Sequence, residues 1–276
     1  MQTPAFPSGA WPPIMLSMAG LILAVFGDVH GNLPGLYELC ERWEREQAER
    51  IDLVLQTGDM GLWRSAEEMD RATQKHFADD RSELAGADYL SGKREAPLAT
   101  WFVHGNHEDF RLLSQAESRA LDPAGRIVFL GPGSVRAYAA RGAELHVAAL
   151  GGMEYRFGKH PIPSEERVQK YLHPPSLDAL LRERPPVEVL LLHDAPFNKG
   201  LRARFPTGSQ RITALIRALS PRFAFYGHYD DPPEPFRIGD TLCACLNYPG
   251  ARRIPGRDGA MGILRSSPWA FDYVAP

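Results

Sequence analysis

Residues 21–26, 51–56, 98–103, 145–150, 187–192 and 223–226 are apolar runs of strand length, and five polar motifs sit at the ends of such runs. The motifs are Gly27-Asp28-Val29-His30-Gly31-Asn32, Gly58-Asp59, Gly105-Asn106-His107-Glu108, His193-Asp194 and Gly227-His228-Tyr229-Asp230. Short continuous apolar runs bounded by turn signals read as buried strands. Helical patterns lie between several of them. Residues 33–50 place Leu36, Leu39, Cys40 and Trp43 on one face with charges opposite, and residues 210–219 do the same with Ile212, Leu215, Ile216 and Leu219. Strands alternating with helices demand crossovers, hence an α/β fold whose sheet has parallel stretches. The carboxyl ends of such strands are where ligands bind, and the motifs are delivered there.

Each motif has an ordinary structural explanation when taken singly. Asp28 can cap the following helix, Gly-Asp is a common turn pair, and a strand-terminal histidine can belong to the core. Taken together they would need five separate explanations. Carboxylates, imidazoles and one amide oxygen gathered at one sheet edge are instead donors for hard or borderline divalent cations, and there are enough of them for two ions.

Residues 63–97 form a long polar insertion between two core strands, predicted to be part helix and to border the substrate groove. Residues 158–186 hold six prolines and a helical piece at 176–183, a second peripheral excursion. Residues 1–18 read as a loose N-terminal extension, and 19–276 as one domain. The apolar stretch 14–26 is too short for a bilayer, where about 20 residues are needed, and no basic region precedes it as in a signal peptide. A net charge of -3 and a pI near 6.3 exclude a basic nucleic-acid-coating protein and a polybasic membrane anchor. The three cysteines, Cys40, Cys243 and Cys245, are odd in number, which argues against a disulfide framework and for a reducing, cytoplasmic setting.

The ordered motifs Asp28-x-His30, Gly58-Asp59, Gly105-Asn106-His107-Glu108, His193 and Gly227-His228-x-Asp230 resemble those of the calcineurin-like metallophosphoesterases, over roughly residues 20–250. Within that superfamily the chain is most similar to the RNA lariat debranching enzymes. The stretches that carry this are 89–97 before Gly105-Asn106-His107-Glu108, then Val128-Phe129-Leu130-Gly131-Pro132-Gly133 and Leu150-Gly151-Gly152-Met153. The resemblance implies a four-layer αββα sandwich of two mixed sheets. It implies one metal held by Asp28, His30, Asp59 and Asp230, and a second held by Asn106, His193 and His228, with Asp59 bridging. His107 would stay unligated and act on the leaving group, with Asp59 and His107 as the central catalytic pair.

The chain departs from the superfamily pattern at three positions. Asp230 stands where relatives usually carry His, which favours a harder ion, so Mn²⁺ is expected ahead of Fe²⁺ or Zn²⁺. Leu62 stands where many relatives carry an Asp paired with the catalytic His, so either the orienting group for His107 comes from elsewhere or the imidazole is less well tuned. Asp28 stands where eukaryotic debranching enzymes have Cys, which favours a full two-metal centre.

The expected activity is therefore metal-dependent hydrolysis of a phosphodiester, in a nucleotide or a short or branched RNA. A phosphomonoesterase acting on a protein or small molecule is the alternative, and a non-catalytic metal-containing binding protein the third reading. The chain's charge is too low to hold long RNA by counterion release alone. Trp63, Tyr89, Tyr155, Phe157, Phe197, Phe205 and Tyr229 are candidate stacking aromatics, Tyr229 foremost. Arg64, Lys93, Arg94, Arg156, Lys199, Arg202 and Arg204 are candidate phosphate contacts, with 198–204 the best basic loop. No membrane partner is expected, and protein partners are left open.

Overall fold

The computed structural model describes residues 20–116, 119–155, 168–197, 208–229, 234–246 and 260–274. The expected extension at 1–18, the loop 198–204, Asp230, Arg156, Phe157 and Phe205 lie outside the described residues.

Six strands form where the apolar runs predict them. They are β1 (Ile22–Phe26), β2 (Leu53–Gln56), β3 (Thr100–Phe102), β6 (Ala143–Leu150), β7 (Val189–Leu192) and β8 (Phe223–Tyr226). Four more short strands are β4 (Ile127–Phe129), β5 (Val135–Ala140), β9 (Phe236–Ile238) and β12 (Trp269–Tyr273). With β10 (Thr241–Cys245) and β11 (Met261–Ser266) they build two six-stranded sheets. One runs β12-β11-β1-β2-β3-β4, the other β5-β6-β7-β8-β10-β9. Both are mixed: β1, β2, β3 and β4 pair in parallel, as do β6, β7, β8 and β10, while the remaining pairs are antiparallel.

Strand alternation sorts the side chains into layers. Leu23 and Val25 of β1 point into a core shared with Val147, Ala149, Val189, Leu191 and Phe225 of the other sheet. Ala24 and Phe26 point the opposite way, onto the helix α1 (Leu33–Gln47) through Leu33, Leu36, Tyr37, Cys40 and Trp43. Asn32 starts α1 by accepting a hydrogen bond from the Gly35 N–H at 3.0 Å, and Pro34 sits in the first turn, where its missing N–H costs nothing. On the far sheet, Ala148, Leu150, Leu190 and Leu192 pack against two helices that the sequence also marked. In chain order these are α5 (Pro174–Glu183) and α6 (Gln210–Leu219). Ser209 caps α6 through the Ile212 N–H at 3.1 Å. The result is helix on sheet on sheet on helix, the four-layer sandwich that the sequence led us to expect.

The insertion is neither one helix nor a bare loop. It holds α2 (Arg71–Asp79), α3 (Gly86–Leu90) and two single turns of 3₁₀ helix at Ala66–Glu68 and Arg81–Leu84. The fourth helix in chain order is α4 (Phe110–Ala116), capped by Asp109, whose carboxylate accepts from the N–H groups of Arg111 and Leu112. Among the described residues no helix is long and apolar enough to cross a membrane.

Candidate metal centre

Five neighbouring strand ends supply the polar motifs. Asp28 and His30 follow β1, Asp59 follows β2, Asn106 and His107 follow β3, His193 follows β7 and His228 follows β8. The loops are stitched together by backbone. Val29 and His30 donate their N–H groups to the Asp59 carbonyl at 3.0 and 2.9 Å, and Gly31 donates to Met60 at 2.8 Å. Three of the site residues, His30, Asp59 and His228, adopt left-handed φ angles of 47°, 53° and 68°. Such conformations are unfavourable away from glycine and persist where the surroundings impose them, commonly at functional sites.

Asp59 lies at the middle. Its Oδ1 accepts from the backbone N–H groups of Asn106 and His107 at 2.6 and 2.7 Å, and its Oδ2 lies 3.7 Å from His193 Nε2. Asp59, His193 and His228 each offer a donor atom within 4.8 Å of the others, and so do Asp28, His30 and Asp59. The two groups share Asp59. Asn106 joins the first, its Oδ1 being 3.1 Å from His193 Nε2. The structure thus brings together every described residue of the expected ligand set. Asp230 is outside the described residues.

The protonation of His193 tests whether the cluster suits a cation. Burial pushes the imidazole down to about 4, beyond what Asp59 restores, so it is neutral at pH 7. Its Nδ1 lies 3.0 Å from the Thr57 carbonyl oxygen, which can only accept, so Nδ1 carries the proton. Nε2 then presents a lone pair to Asn106 Oδ1 and Asp59 Oδ2. Three acceptors facing one another in a buried site repel unless a cation lies between them. The donor set fits a divalent ion, and the Nδ1 contact to a backbone carbonyl is the usual way a ligating imidazole is oriented. Asp59, although buried, is held well below the usual carboxylate range by His193, His30 and His107.

Residues 21–230, more than half of the chain, match the family of calcineurin-like phosphoesterases. The chain belongs to that family. Among curated proteins it is 25% identical to the lariat debranching enzyme of Arabidopsis thaliana over 233 residues, covering 75% of this chain and 54% of that one. It is 28% identical to the lariat debranching enzyme of Drosophila melanogaster over 229 residues, covering 75% and 42%. The chain therefore spans about half the length of these relatives or less. Of solved structures, a dimetal phosphatase from Danio rerio superposes with a TM-score of 0.54 at 14% identity, covering 90% of this chain and 93% of that one. The protein TT1561 of Thermus thermophilus gives 0.54 at 16%, covering 93% and 100%. At these identities the solved structures speak for the fold alone.

In this member of the family the motif residues outside the donor ring act as braces. Glu108 is buried and accepts from the N–H groups of Met60, Gly61 and Gly105 at 2.9, 3.0 and 3.1 Å. It hydrogen-bonds rather than ligates, and it ties the Asp59 loop to the Asn106 loop. Asp194 accepts from Tyr229 Oη at 2.7 Å and from the Glu154 N–H at 2.9 Å. Tyr229 is thereby anchored, with its ring edge-on to His228 at 5.1 Å. It was the foremost aromatic for stacking; the structure gives it a packing role beside a candidate ligand. Trp63 and Tyr89 are buried, the latter against Tyr37, so neither presents a face to a base.

Two site residues escaped the sequence reading. His107 Nδ1 is 3.0 Å from Asp70 Oδ2, and Lys170 Nζ is 3.3 Å from the same oxygen. Asp70 belongs to the insertion, 37 residues before His107, and no local pattern links them. Burial would lower the His107 pKa, but the Asp70 hydrogen bond and the Asp59 charge raise it above its ordinary value.

Close backbone approach gives one test of this packing. A Cβ on Gly105 would overlap the Asp59 carboxylate and its backbone nitrogen. Gly105→Ala is expected to destabilise the fold by about 2 kcal/mol and to weaken metal binding by displacing Asp59. Denaturant melts with and without Mn²⁺ measure both, and unchanged metal affinity would show that Asp59 had not been moved.

Proposed function

We propose that this protein is a metal-dependent phosphodiesterase acting on a nucleotide or on a short or branched RNA. The observation that carries this reading is the state of His107. A carboxylate oxygen of Asp70 can only accept, so His107 Nδ1 holds a proton and Nε2 is left as the atom that exchanges one with substrate. An alkoxide leaving group needs such an acid far more than an activated aryl oxide does. The similarity to lariat debranching enzymes supports the same class of bond, at an identity that leaves the substrate as a proposal.

Asp28, His30 and Asp59 would hold one cation, with Asp230 completing it, and Asp59, Asn106, His193 and His228 the other. Two divalent ions, Mn²⁺ before Fe²⁺ or Zn²⁺, would supply Lewis-acid charge that acidifies water and offsets the phosphoryl oxygens. The chain's own residues do the rest. As the bond from phosphorus to the leaving oxygen breaks and a water-derived oxygen becomes bonded to phosphorus, His107 Nε2 would give its proton to the leaving oxygen. The proton first lost by water restores His107 over the cycle, so a diester and water become a monoester and an alcohol.

The test is a metal-stripped preparation reloaded with Mn²⁺ and offered 2′-5′ and 3′-5′ dinucleotides, cyclic nucleotides and a phosphopeptide. We expect two ions per chain by elemental analysis and turnover of a dinucleotide that chelation abolishes. Preference for the phosphopeptide would replace this reading with a phosphomonoesterase. Failure to bind metal would remove both.

A further inference from the structure

We infer that Asp70, carried on the polar insertion, is the positioning residue for His107, so that the insertion supplies one working residue to the active centre rather than only decorating it. This rests on the phosphodiesterase reading above. The position three residues after Asp59 is Leu62, which is 1% exposed and packed in the core beneath α1. It can orient nothing.

Asp70 fills that need with both of its oxygens committed. Oδ1 accepts from the backbone N–H groups of Ala72 and Thr73 at 2.9 and 3.0 Å, the cap that starts α2. Oδ2 meets His107 Nδ1 at 3.0 Å and Lys170 Nζ at 3.3 Å. One carboxylate thus nucleates the insertion's helix and fixes the imidazole. The cap restricts Asp70's rotamer, so the direction in which Oδ2 faces His107 is set by the folding of α2. Lys170, from the second peripheral segment, holds the same oxygen from another side. Neither contact can form unless the insertion is folded against the strand ends. Burial of the pair, with side chains 25% and 21% exposed, limits competition from water for the imidazole proton.

A double-mutant cycle on the Mn²⁺-loaded full chain tests this, with a 3′-5′ dinucleotide as substrate. Asp70→Ala should lower kcat about 10²-fold while leaving KM within about threefold, because a misplaced acid affects the transition state and not ground-state binding. In the His107→Ala background the same change should cost nothing further. Asp70→Asn, whose carbonyl can still accept from Nδ1, should recover part of the loss. Lys75→Gln, an exposed change on the same helix, should match wild type. Equal, multiplicative losses in both backgrounds would place Asp70's effect elsewhere and overturn the inference. So would wild-type kcat in Asp70→Ala.

A second readout does not need turnover. The hydrogen-bonded Nδ1 proton of His107 should give a downfield proton resonance in wild type and Lys75→Gln that is missing in His107→Ala and Asp70→Ala. Its absence from wild type overturns the inference whatever the substrate. If the resonance behaves as expected while no diester is turned over, the phosphodiesterase reading fails and the positioning role stands. Should Asp70→Ala not fold, Asp70→Asn carries the cycle, with non-additivity against His107→Ala again required.

Discussion

Asp59→Asn is expected to lower dinucleotide turnover by more than about 10³-fold and to release both metal ions from a chain that still folds. Asp59 is the one residue common to the two donor groups, so a change there cannot spare either ion. Its oxygens are also unequal. Oδ1 is held by the N–H groups of Asn106 and His107, while Oδ2 faces His193. An asparagine would keep its carbonyl on the two backbone donors and turn its amide nitrogen toward the donor ring. That places N–H groups where a lone pair is needed, and it removes the negative charge that a pair of cations requires. Oδ1 accepts from loops that Glu108 independently braces, so the fold should survive. Elemental analysis gives the metal count, circular dichroism the fold, and dinucleotide assays the rate. If Asp59→Asn kept two ions and activity within about tenfold of wild type, the centre would not be organised around this carboxylate.

Most of the fold's interior was written in the sequence and its rim was not. β1, β2, β3, β6, β7 and β8 are continuous apolar runs because they are buried on both faces, between the other sheet and a helix layer. Of the six strands that the runs did not mark, β10 and β11 lie inside the sheets, while β4, β5, β9 and β12 are the four sheet edges. β5 leaves most of its side chains exposed, and β9 and β12 are only partly buried, so no unbroken apolar pattern is required of them. β4 is buried but only three residues long, too short to show a period.

The same logic divides the site. Asp28, His30, Asp59, Asn106, His107, His193 and His228 were legible because strand ends deliver them, and strands can be read. Asp70 and Lys170 were not, because they arrive from peripheral segments, and Lys170 lies 100 residues from its partner. The departure at Leu62 was the available signal. A histidine doing proton work is tuned by an orienting acceptor, and its absence from the expected place left two outcomes, an acceptor supplied across the fold or a poorly tuned imidazole; the Asp70 contact is the first of these. The aromatics failed for a different reason. Proximity in sequence to a motif says nothing of which way a ring points, and Trp63 and Tyr89 point into the protein.

His107→Ala should separate substrates by leaving group. On a 3′-5′ dinucleotide we expect a loss of about 10²–10⁴-fold in kcat; on a nitrophenyl ester, a much smaller one. His107 follows Asn106 in the chain, yet its Nδ1 is committed to Asp70, while its backbone N–H stays bonded to Asp59. Removing the ring therefore leaves the backbone contact and the metal donors in place, and the variant should bind both ions. What goes is the proton for the departing oxygen. A nitrophenolate departs without one, whereas a ribose alkoxide is so basic that an unassisted departure raises the barrier by several kcal/mol, at about 1.4 kcal/mol per tenfold in rate. The raised pKa of His107 keeps more of the cation at neutral pH, the form that can donate. Measured with two ions confirmed in each preparation, equal losses on both esters would show that His107 stabilises the phosphoryl group alone. A loss confined to the dinucleotide identifies the acid.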